Sequence, residues 1–413
     1  MSKDNLLQHY FFQTKNMLCS SRMNTSFLNK KMVIIVGIAV SFLATTMPVN
    51  AASLHYGAWL PFWKKQSGAH DMSRYIDSFY SISPFSYEVK ANGTLIDSLK
   101  ITEGFWPTWL SAVRDSGVKI IPTLASFDNE VINALITKKT ARKNHIASII
   151  ALIKKQKFSG IDIDYENKDA ESAPYFSAFI KELATELHKN KKILSCTIEP
   201  RTPASSRFSV IPKDLSYAND YAILNKYCDE VRIMAYDQGT IDLLLNAKKG
   251  ASDFYAPVAD PEWVEKVLQE TLKTINRKKI VLGIPTYGYE YEVGWNDGVT
   301  TYKRLRSLTF TQALERAAGA GATTTRNSAG ELSYIYTTST SVEISKNLTY
   351  QIVSSTKPTT MNTLGFIRFA SFNDAESIAQ KIALAKKYKL GGVVLFKMDG
   401  EFDPSLWNVI AKK

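Results

Sequence analysis

The sequence predicts an α/β protein, a (β/α)8 TIM barrel with a small α+β insertion between strands 7 and 8. Eight short apolar runs recur along the chain, and most are separated by a segment with helical spacing of its apolar residues. Strand–helix alternation predicts a parallel sheet, and eight units over more than about 250 residues favour a closed barrel over an open sheet. A polar stretch rich in Thr and Ser interrupts this alternation over 290–362 and predicts the insertion.

The eight strands are predicted from the apolar runs, and the helices from apolar residues that recur every three or four positions. Phe176, Phe179 and Leu183, for example, mark the helix after the fourth strand. We therefore assign the barrel to 53–289 and 363–413. The predicted strands lie within 54–63, 78–87, 118–127, 158–167, 192–200, 228–237, 278–289 and 390–400.

The first 52 residues have the features of a secretory signal with a long basic region. Lys30 and Lys31 precede the apolar run 32–47, and small residues at Val49 and Ala51 fit cleavage after Ala51 or Ala52. A membrane span needs roughly 20 apolar residues, more than this run offers. We expect cleavage and a secreted, periplasmic or cell-surface protein, with an uncleaved membrane anchor as the alternative.

The charge of the chain bounds its partners. The formal net charge of +12 could attract the protein to an anionic cell wall or membrane surface, although a positive surface that only aids solubility explains the charge equally well. Basic blocks with interleaved aromatic residues are missing from the sequence, which argues against nucleic acid as a partner. We expect a monomer.

Cysteine and histidine usage predicts neither a cofactor nor a metal site. Cys196 and Cys228 lie in or beside predicted strands, where a buried free thiol is the first expectation. A disulfide between them is the alternative in an oxidising compartment. The five His residues are scattered, and no His/Cys spacing suggests a bound metal.

The stretch FSGIDIDYEN at 158–167 carries the main functional signal. Asp162, Asp164 and Glu166 occupy alternate positions of a predicted strand, so their side chains share one face, with neighbours about 6–7 Å apart. A neighbouring carboxylate raises the pKa of a general acid. Glu166 ends the strand, and active sites of such barrels lie at the carboxyl ends of the strands. The alternative is that these acids bind a cation or pair with lysines inside the barrel.

Several motifs resemble glycoside hydrolase family 18, the chitinase family. GIDIDYE is similar to its D-G-x-D-x-D-x-E signature, and RIMAYD, GIPTYGY and GGVVLF are similar to its motifs on strands six, seven and eight. The resemblance runs from about 54 to 408. It implies retaining, substrate-assisted hydrolysis of β-1,4 bonds in N-acetylglucosamine-containing polysaccharides, with no metal or organic cofactor.

The resemblance also implies roles for residues of this chain. Glu166 would protonate the glycosidic oxygen, and Asp164 would orient the acetamido group of the substrate, whose carbonyl acts as the nucleophile. Asp162 would hold Asp164 and share its proton. Tyr236 would hydrogen-bond the acetamido carbonyl, and Asp237 would help to bind the sugar.

Five further positions complete the expected site. Ser159 stands where the family pattern begins with Asp, so the stack of carboxylates is one member short. Phe396 replaces the usual Trp at the floor of the sugar subsite and keeps an apolar stacking face. Tyr56 on strand one, Phe85 on strand two and Tyr287 at the end of strand seven are expected to bind substrate.

Two substrates and two rival functions stay open at this point. The stretches SISPFSYEV, TIEPRT and RFASFNDAESIAQKI resemble most the branch of the family that acts on bacterial cell-wall or spore peptidoglycan, with chitin as the other substrate. A glycan-binding lectin on an inactive barrel is one rival, but such proteins usually lose the acid, which is present here as Glu166. A protein whose carboxylates bind calcium is the other.

Overall fold

Eight parallel strands close into a barrel in the computed structural model, which describes residues 54–64, 66–239, 242–251, 253–296, 299–338 and 367–410. This confirms the predicted fold class, whereas the predicted signal lies outside the described residues. The first nine strands are β1 (His55–Pro61), β2 (Ser81–Val89), β3 (Leu95–Asp97), β4 (Lys119–Ile120), β5 (Thr123–Ser126), β6 (Gly160–Tyr165), β7 (Ile193–Ile198), β8 (Glu230–Ile233) and β9 (Ile280–Pro285).

A second, antiparallel sheet follows β9, and the chain then returns to complete the barrel. Its strands are β10 (Gly288–Asn296), β11 (Val299–Leu308), β12 (Thr325–Arg326), β13 (Leu332–Thr337) and β14 (Ile367–Phe372), before β15 (Gly392–Phe396). The barrel order is β1, β2, β5, β6, β7, β8, β9 and β15, and β15 pairs with β1 to close it.

Helices cover the outside of the barrel and one face of the second sheet. They are α1 (Ser67–Ser73), α2 (Trp106–Asp115), α3 (Asn129–Ile136), α4 (Lys139–Gln156), α5 (Ala173–Lys189), α6 (Ala204–Arg207), α7 (Tyr221–Tyr227), α8 (Leu243–Gly250), α9 (Pro261–Leu272), α10 (Phe310–Gly319), α11 (Ala375–Lys387) and α12 (Leu406–Ile410). Short 3₁₀ helices span Phe62–Lys64, Ile76–Ser78 and Ala170–Ser172. None of the helices in these described ranges is long and apolar enough to cross a membrane.

Local sequence explains where several helices begin. Asp128 accepts hydrogen bonds from the backbone N–H groups of Glu130 and Val131, which caps the amino end of α3. Asp220 caps α7 in the same way, and Asp374 forms a capping box with Ser377 at the start of α11. The helix starts therefore lie next to the carboxyl ends of the strands, at the end of the barrel where the functional side chains collect.

Gly160 lets the acidic strand approach its neighbour. A Cβ at this position would lie 2.2 Å from the carbonyl oxygen of Ile193, closer than real Cβ contacts allow. The resulting register places Asp162 opposite Ser195 and Asp164 opposite Thr197 on β7. The glycine of the GIDIDYE motif thus positions hydroxyl groups beside the carboxylates.

The second sheet extends beyond the predicted insertion at both ends. It runs from Gly288 to Phe372 because β14 returns to pair with β10, while the predicted segment was 290–362. Tyr289 accordingly lies on β10 and not at the end of a barrel strand. The buried carboxylate of Glu331 joins this sheet to the barrel, since it accepts hydrogen bonds from the backbone N–H groups of Val258 (3.0 Å) and Ala259 (2.8 Å).

Cys196 and Cys228 form a disulfide, with 6.2 Å between their Cα atoms. The expectation of two buried free thiols is therefore wrong. Cys196 lies on β7 and Cys228 directly after α7, so the bond ties the strand beside the acidic motif to the connection that follows it. The two residues are 32 positions apart, and closing a loop of that length stabilises a fold by about 3–4 kcal/mol in the chain-entropy account.

Replacing both cysteines by alanine should lower the free energy of unfolding by about 3–4 kcal/mol in denaturant titrations. A reductant should bring the wild-type protein close to the double variant and leave the variant unchanged. Two free thiols found by labelling the non-reduced, denatured wild-type protein would contradict the assignment.

Candidate active site

The Asp162 carboxylate is surrounded by hydrogen-bond donors inside the barrel. One carboxylate oxygen accepts hydrogen bonds from the hydroxyls of Ser195 (2.7 Å) and Thr197 (2.9 Å). The other oxygen accepts from the Thr123 hydroxyl (2.9 Å) and the Trp59 indole N–H (3.2 Å). All four partners can donate to the carboxylate oxygens, and the Trp59 indole N–H can only donate, so this arrangement stabilises the charged form of Asp162.

Arg232 on β8 supplies the compensating positive charge. Its guanidinium nitrogen lies 3.4 Å from Asp162, and both side chains are at most 1% exposed. The guanidinium also donates to the Ser83 hydroxyl at 2.6 Å and pairs with Glu230 at 3.2 Å. The sequence analysis missed Arg232, although a charge within the apolar strand segment EVRI was a signal available in the sequence.

Asp164 is buried on β6, two residues closer to the cleft than Asp162. Burial raises the pKa of Asp164 well above its usual value, and the charges of Glu166, Asp162 and Glu199 raise it further. Its Oδ1 atom is buried and has no hydrogen-bond partner among the described residues. A buried carboxyl without donors is more stable when neutral, so the surroundings of Asp164 favour its protonated form.

Glu166 directly follows β6 and has a pKa raised to about 7. Burial is the main cause, and the negative charges of Glu199 and Asp237 add to it, while Lys168 opposes them. The raised pKa was predicted, but from carboxylates of the same strand. The charges that raise the pKa of Glu166 instead belong to Glu199, which follows β7, and Asp237, which follows β8.

Glu199 follows β7 and is held beside Glu166 by two donors. The backbone N–H of Asn167 lies 3.2 Å from one of its carboxylate oxygens, and the Asn219 amide donates to the other at 2.7 Å. Lys168 is partly buried nearby; burial lowers its pKa, and the charges of Glu199, Asp164 and Glu166 offset only part of this lowering. Sequence reasoning missed Glu199 as a site residue, although it ends its strand as Glu166 does.

A tyrosine cluster holds Asp237 on the other side of the site. Asp237 has a φ of 56° and is exposed, and its carboxylate accepts hydrogen bonds from the hydroxyls of Tyr287 (2.6 Å) and Tyr289 (2.8 Å). Tyr287 is therefore placed behind Asp237. Burial raises the pKa of the Tyr236 hydroxyl well above its usual value, so this group stays a hydrogen-bond donor.

A cleft of about 560 Å³ opens at the carboxyl ends of the strands and brings most of the predicted site together. This volume lies in the usual range for ligand sites, about 300–1,000 Å³. Phe396 stacks on Tyr236 with ring centroids 5.2 Å apart, which gives the cleft an apolar floor. The lining consists of Trp59, Phe62, Trp63, Phe85, Glu88, Phe127, Asp164, Glu166, Glu199, Pro200, Met234, Tyr236, Asp237 and Phe396.

Four predicted residues do not line this cleft. Asp162 lies beneath Asp164, and Tyr287 lies behind Asp237. Tyr56 is the second residue of β1, at the end of the barrel away from the cleft, and it is not part of the lining. Ser159 precedes β6 and its hydroxyl accepts a hydrogen bond from the backbone N–H of Ile120 at 3.2 Å. The Ser159 hydroxyl thus contacts the backbone of β4 and is not among the hydrogen-bond partners of Asp162, so the expectation of a carboxylate stack with one member missing is wrong.

Residues 79–401 match the sequence profile of glycosyl hydrolases family 18, a span of more than half of the chain. The chain belongs to glycoside hydrolase family 18. It is therefore a glycosidase by family, which agrees with the expectation from its strand motifs.

Relatives of this chain include proteins named as bacterial glycosylases and as chitinases. The chain is 24% identical over 397 residues to the uncharacterized glycosylase YvbX of Bacillus subtilis, covering 93% of this chain and 99% of the relative. It is 21% identical over 351 residues to the cortical fragment-lytic enzyme of the same species, covering 84% and 70%. It is also 22% identical over 367 residues to probable chitinase 10 of Drosophila melanogaster, covering 82% of this chain and 14% of that protein.

Solved structures share the fold. A chitinase from Chromobacterium violaceum superposes with a TM-score of 0.65 at 19% identity, over 87% of this chain and 98% of the other. The spore cortex-lytic enzyme SleL from Bacillus megaterium superposes with a TM-score of 0.63, also at 19% identity, over 86% and 73%.

Substituting Arg232 by Met should lower the free energy of unfolding by about 3–5 kcal/mol, because Asp162 would stay buried without its cation. Lys189→Met is the matched control, since it removes an ion pair with Glu186 that is largely exposed, and should cost less than about 1 kcal/mol. Urea titrations of both variants measure the difference. Equal losses would contradict the buried pair.

Substituting Glu199 by Gln should lower the pKa of Glu166, because it removes the largest charge that raises it. Carbon-13 NMR titration of labelled glutamate carboxyls measures that pKa, with Glu166→Gln used to assign the resonance. Glu130→Gln, at an exposed position outside the cleft lining, is the control and should leave it unchanged. An unchanged pKa in Glu199→Gln would refute the electrostatic link.

Proposed function

We propose that this chain is a secreted, retaining glycosidase that cleaves β-1,4 bonds of N-acetylglucosamine-containing glycans by substrate-assisted catalysis. The observation that carries the proposal is the carboxyl group of Glu166, which lines the cleft with a pKa of about 7. A general acid works best when its pKa lies near the working pH, because it is then protonated at the start and still donates readily.

In the first half of the reaction, Glu166 donates its proton to the glycosidic oxygen. The carbonyl oxygen of the substrate's own acetamido group attacks the anomeric carbon, and the bond from that carbon to the leaving oxygen breaks. A bicyclic oxazolinium ion forms and Glu166 is left as a carboxylate. Asp164 accepts the acetamido N–H, which keeps the carbonyl oxygen aimed at the anomeric carbon.

In the second half, Glu166 acts as a base. It takes a proton from a water molecule, whose oxygen attacks the anomeric carbon and reopens the ring of the oxazolinium ion. The sugar leaves with its original anomeric configuration and an intact acetamido group, and Glu166 regains its proton. The same carboxyl must therefore lose and regain a proton in each turnover, which a pKa near neutrality favours.

The other cleft residues hold the sugar during this exchange. The Tyr236 hydroxyl donates a hydrogen bond to the acetamido carbonyl, and Asp237 accepts hydrogen bonds from sugar hydroxyls. Phe396 offers its ring face as the floor of the subsite that holds the reacting sugar. Phe85 stacks with Phe127 at a ring-centroid distance of 6.3 Å and adds an apolar wall further along the cleft.

Two glycans meet the acetamido requirement, namely peptidoglycan and chitin. Relatives named as cortical fragment-lytic enzymes and the resemblance of TIEPRT and related stretches support peptidoglycan. Relatives named as chitinases support chitin. We propose peptidoglycan or a related N-acetylglucosamine glycan as the first substrate to test and chitin oligosaccharides as the second.

Export of the protein is part of the proposal and has two supports. The segment before residue 53 has the order of basic, apolar and small residues that a secretory signal has. The Cys196–Cys228 disulfide is typical of proteins that fold in an oxidising compartment. A cell-surface or periplasmic location would also bring the cleft to wall glycans.

Glu166→Gln should lower the rate of glycan cleavage by about 10²–10⁴-fold, because Gln cannot donate or accept the catalytic proton. The assay incubates the protein with purified peptidoglycan and with chitin oligosaccharides and identifies the products by mass spectrometry. Glu130→Gln should retain the wild-type rate. An unchanged rate in Glu166→Gln would refute the catalytic assignment, and a wild-type protein that binds both glycans but cuts neither would be a lectin.

A further inference from the structure

Charged residues are divided unevenly between the two ends of the barrel. The seven connections that lead into the amino ends of β2, β4, β6, β7, β8, β9 and β15 contain sixteen Lys and Arg residues and only three Asp and Glu residues. We call their surface the basic face. Its connections are 74–80, 112–118, 153–159, 187–192, 224–229, 272–279 and 385–391.

The opposite end, which holds the cleft, has the reverse balance. The described residues of the connections that leave the carboxyl ends of the barrel strands, apart from the insertion, include fourteen acidic and eight basic ones. They are residues 62–64, 66, 90–105, 127–128, 166–172, 199–220, 234–239, 242 and 397–405. The positive charge of the protein is therefore concentrated on the face that points away from the cleft.

Many cations of the basic face are available to a partner. Lys154, Lys155, Lys278 and Lys386 are exposed, and their ammonium groups form no hydrogen bond or ion pair within the described part of the chain. Each belongs to a connection that contains at least three basic residues. Isolated surface lysines would not cluster in this way around the rim of one face.

Helix dipoles account for only part of this pattern. A cation in the last turn of a helix is favoured by the partial negative charge there, and the effect falls off beyond that turn. Lys154 and Lys155 near the end of α4 fit this explanation. Lys278 does not, because α9 ends at Leu272, and Lys191 lies beyond the end of α5 at Lys189.

We propose that the basic face docks on an anionic phospholipid surface and leaves the cleft facing away from it. The cations are spread around the whole rim, so a planar anionic surface can contact them together, whereas a single polymer chain would need a groove. Residue 54, where the described chain begins, also lies at this face, because β1 starts at His55. Each lysine near such a membrane strengthens binding by about fivefold.

The contact is electrostatic and not an insertion of apolar side chains. The large apolar side chains exposed in the described ranges lie elsewhere, at the cleft end, on helices that start there, or on α10 beside the second sheet. They include Trp63, Phe127, Val210, Leu243, Leu244 and Leu314. Binding should therefore weaken steeply with ionic strength, since salt screens exposed charges.

The test measures co-sedimentation of the full chain with phosphatidylcholine vesicles that contain or lack phosphatidylglycerol. The partition coefficient with phosphatidylglycerol divided by that without it measures the charge-dependent part of binding, because any apolar contribution is common to both. The fourfold variant Lys154→Gln, Lys155→Gln, Lys278→Gln and Lys386→Gln should lower that ratio by at least about tenfold. The fourfold Lys→Arg variant at the same positions should keep it.

The matched control removes four positive charges outside the basic face, two in the connection after β2 at the cleft end and two at the start of α4. Lys90→Gln, Lys100→Gln, Lys138→Gln and Lys139→Gln together should leave the ratio nearly unchanged. Thermal unfolding of all variants checks that each is folded. An equal loss in the control would overturn the proposal, because net charge alone would then explain binding. A wild-type ratio near one would also overturn the proposal. That holds even if the protein binds a soluble poly(glycerol phosphate) instead of the vesicles.

Discussion

The buried pair of Asp162 and Arg232 is the interaction on which the rest of the site depends. It places one negative and one positive charge inside the barrel, where neither is stable without the other. Strands β1, β5, β7 and β8 each contribute a donor or a cation to Asp162, so the closed barrel is itself the means of keeping this carboxylate ionised. Because Asp162 is surrounded by donors and Asp164 Oδ1 has none among the described residues, a proton on this strand is more stable on Asp164.

Proton storage in the site follows from this fixed charge and from burial. Asp164 lies between an ionised Asp162 and the cleft, with one oxygen that has no donor among the described residues, and its pKa is raised by burial first and by Glu166 and Asp162 next. Glu166 lies nearer to solvent, and its raised pKa depends on burial together with Glu199 and Asp237. The acidic strand therefore combines a carboxylate stabilised by donors, an acid whose neutral form is favoured by burial, and an acid with a pKa near neutrality.

The regular features of the fold could be predicted from the sequence, whereas contacts between strands could not. Alternation of apolar runs and helical segments predicted the barrel, and the alternate spacing of Asp162, Asp164 and Glu166 predicted their shared face. Glu199 and Arg232 were missed because their importance comes from neighbours on other strands, which spacing along one strand does not reveal. Tyr56 was expected at the wrong end of the barrel, because an aromatic residue gives the same sequence signal at either end of a strand. Only the direction of β1 decides which of its ends reaches the cleft. The disulfide depended in the same way on the distance between β7 and the connection that follows α7.

The most direct test of this account is the location of protons on the acidic strand, by neutron diffraction from deuterated crystals grown near pH 6. The account predicts a deuteron on Asp164 and none on Asp162, with hydroxyl deuterons of Thr123, Ser195 and Thr197 pointing at Asp162. A deuteron on Asp162, with Asp164 ionised, would contradict it, because the buried charge would then lie on the wrong residue and Arg232 would not be the cation that fixes the site.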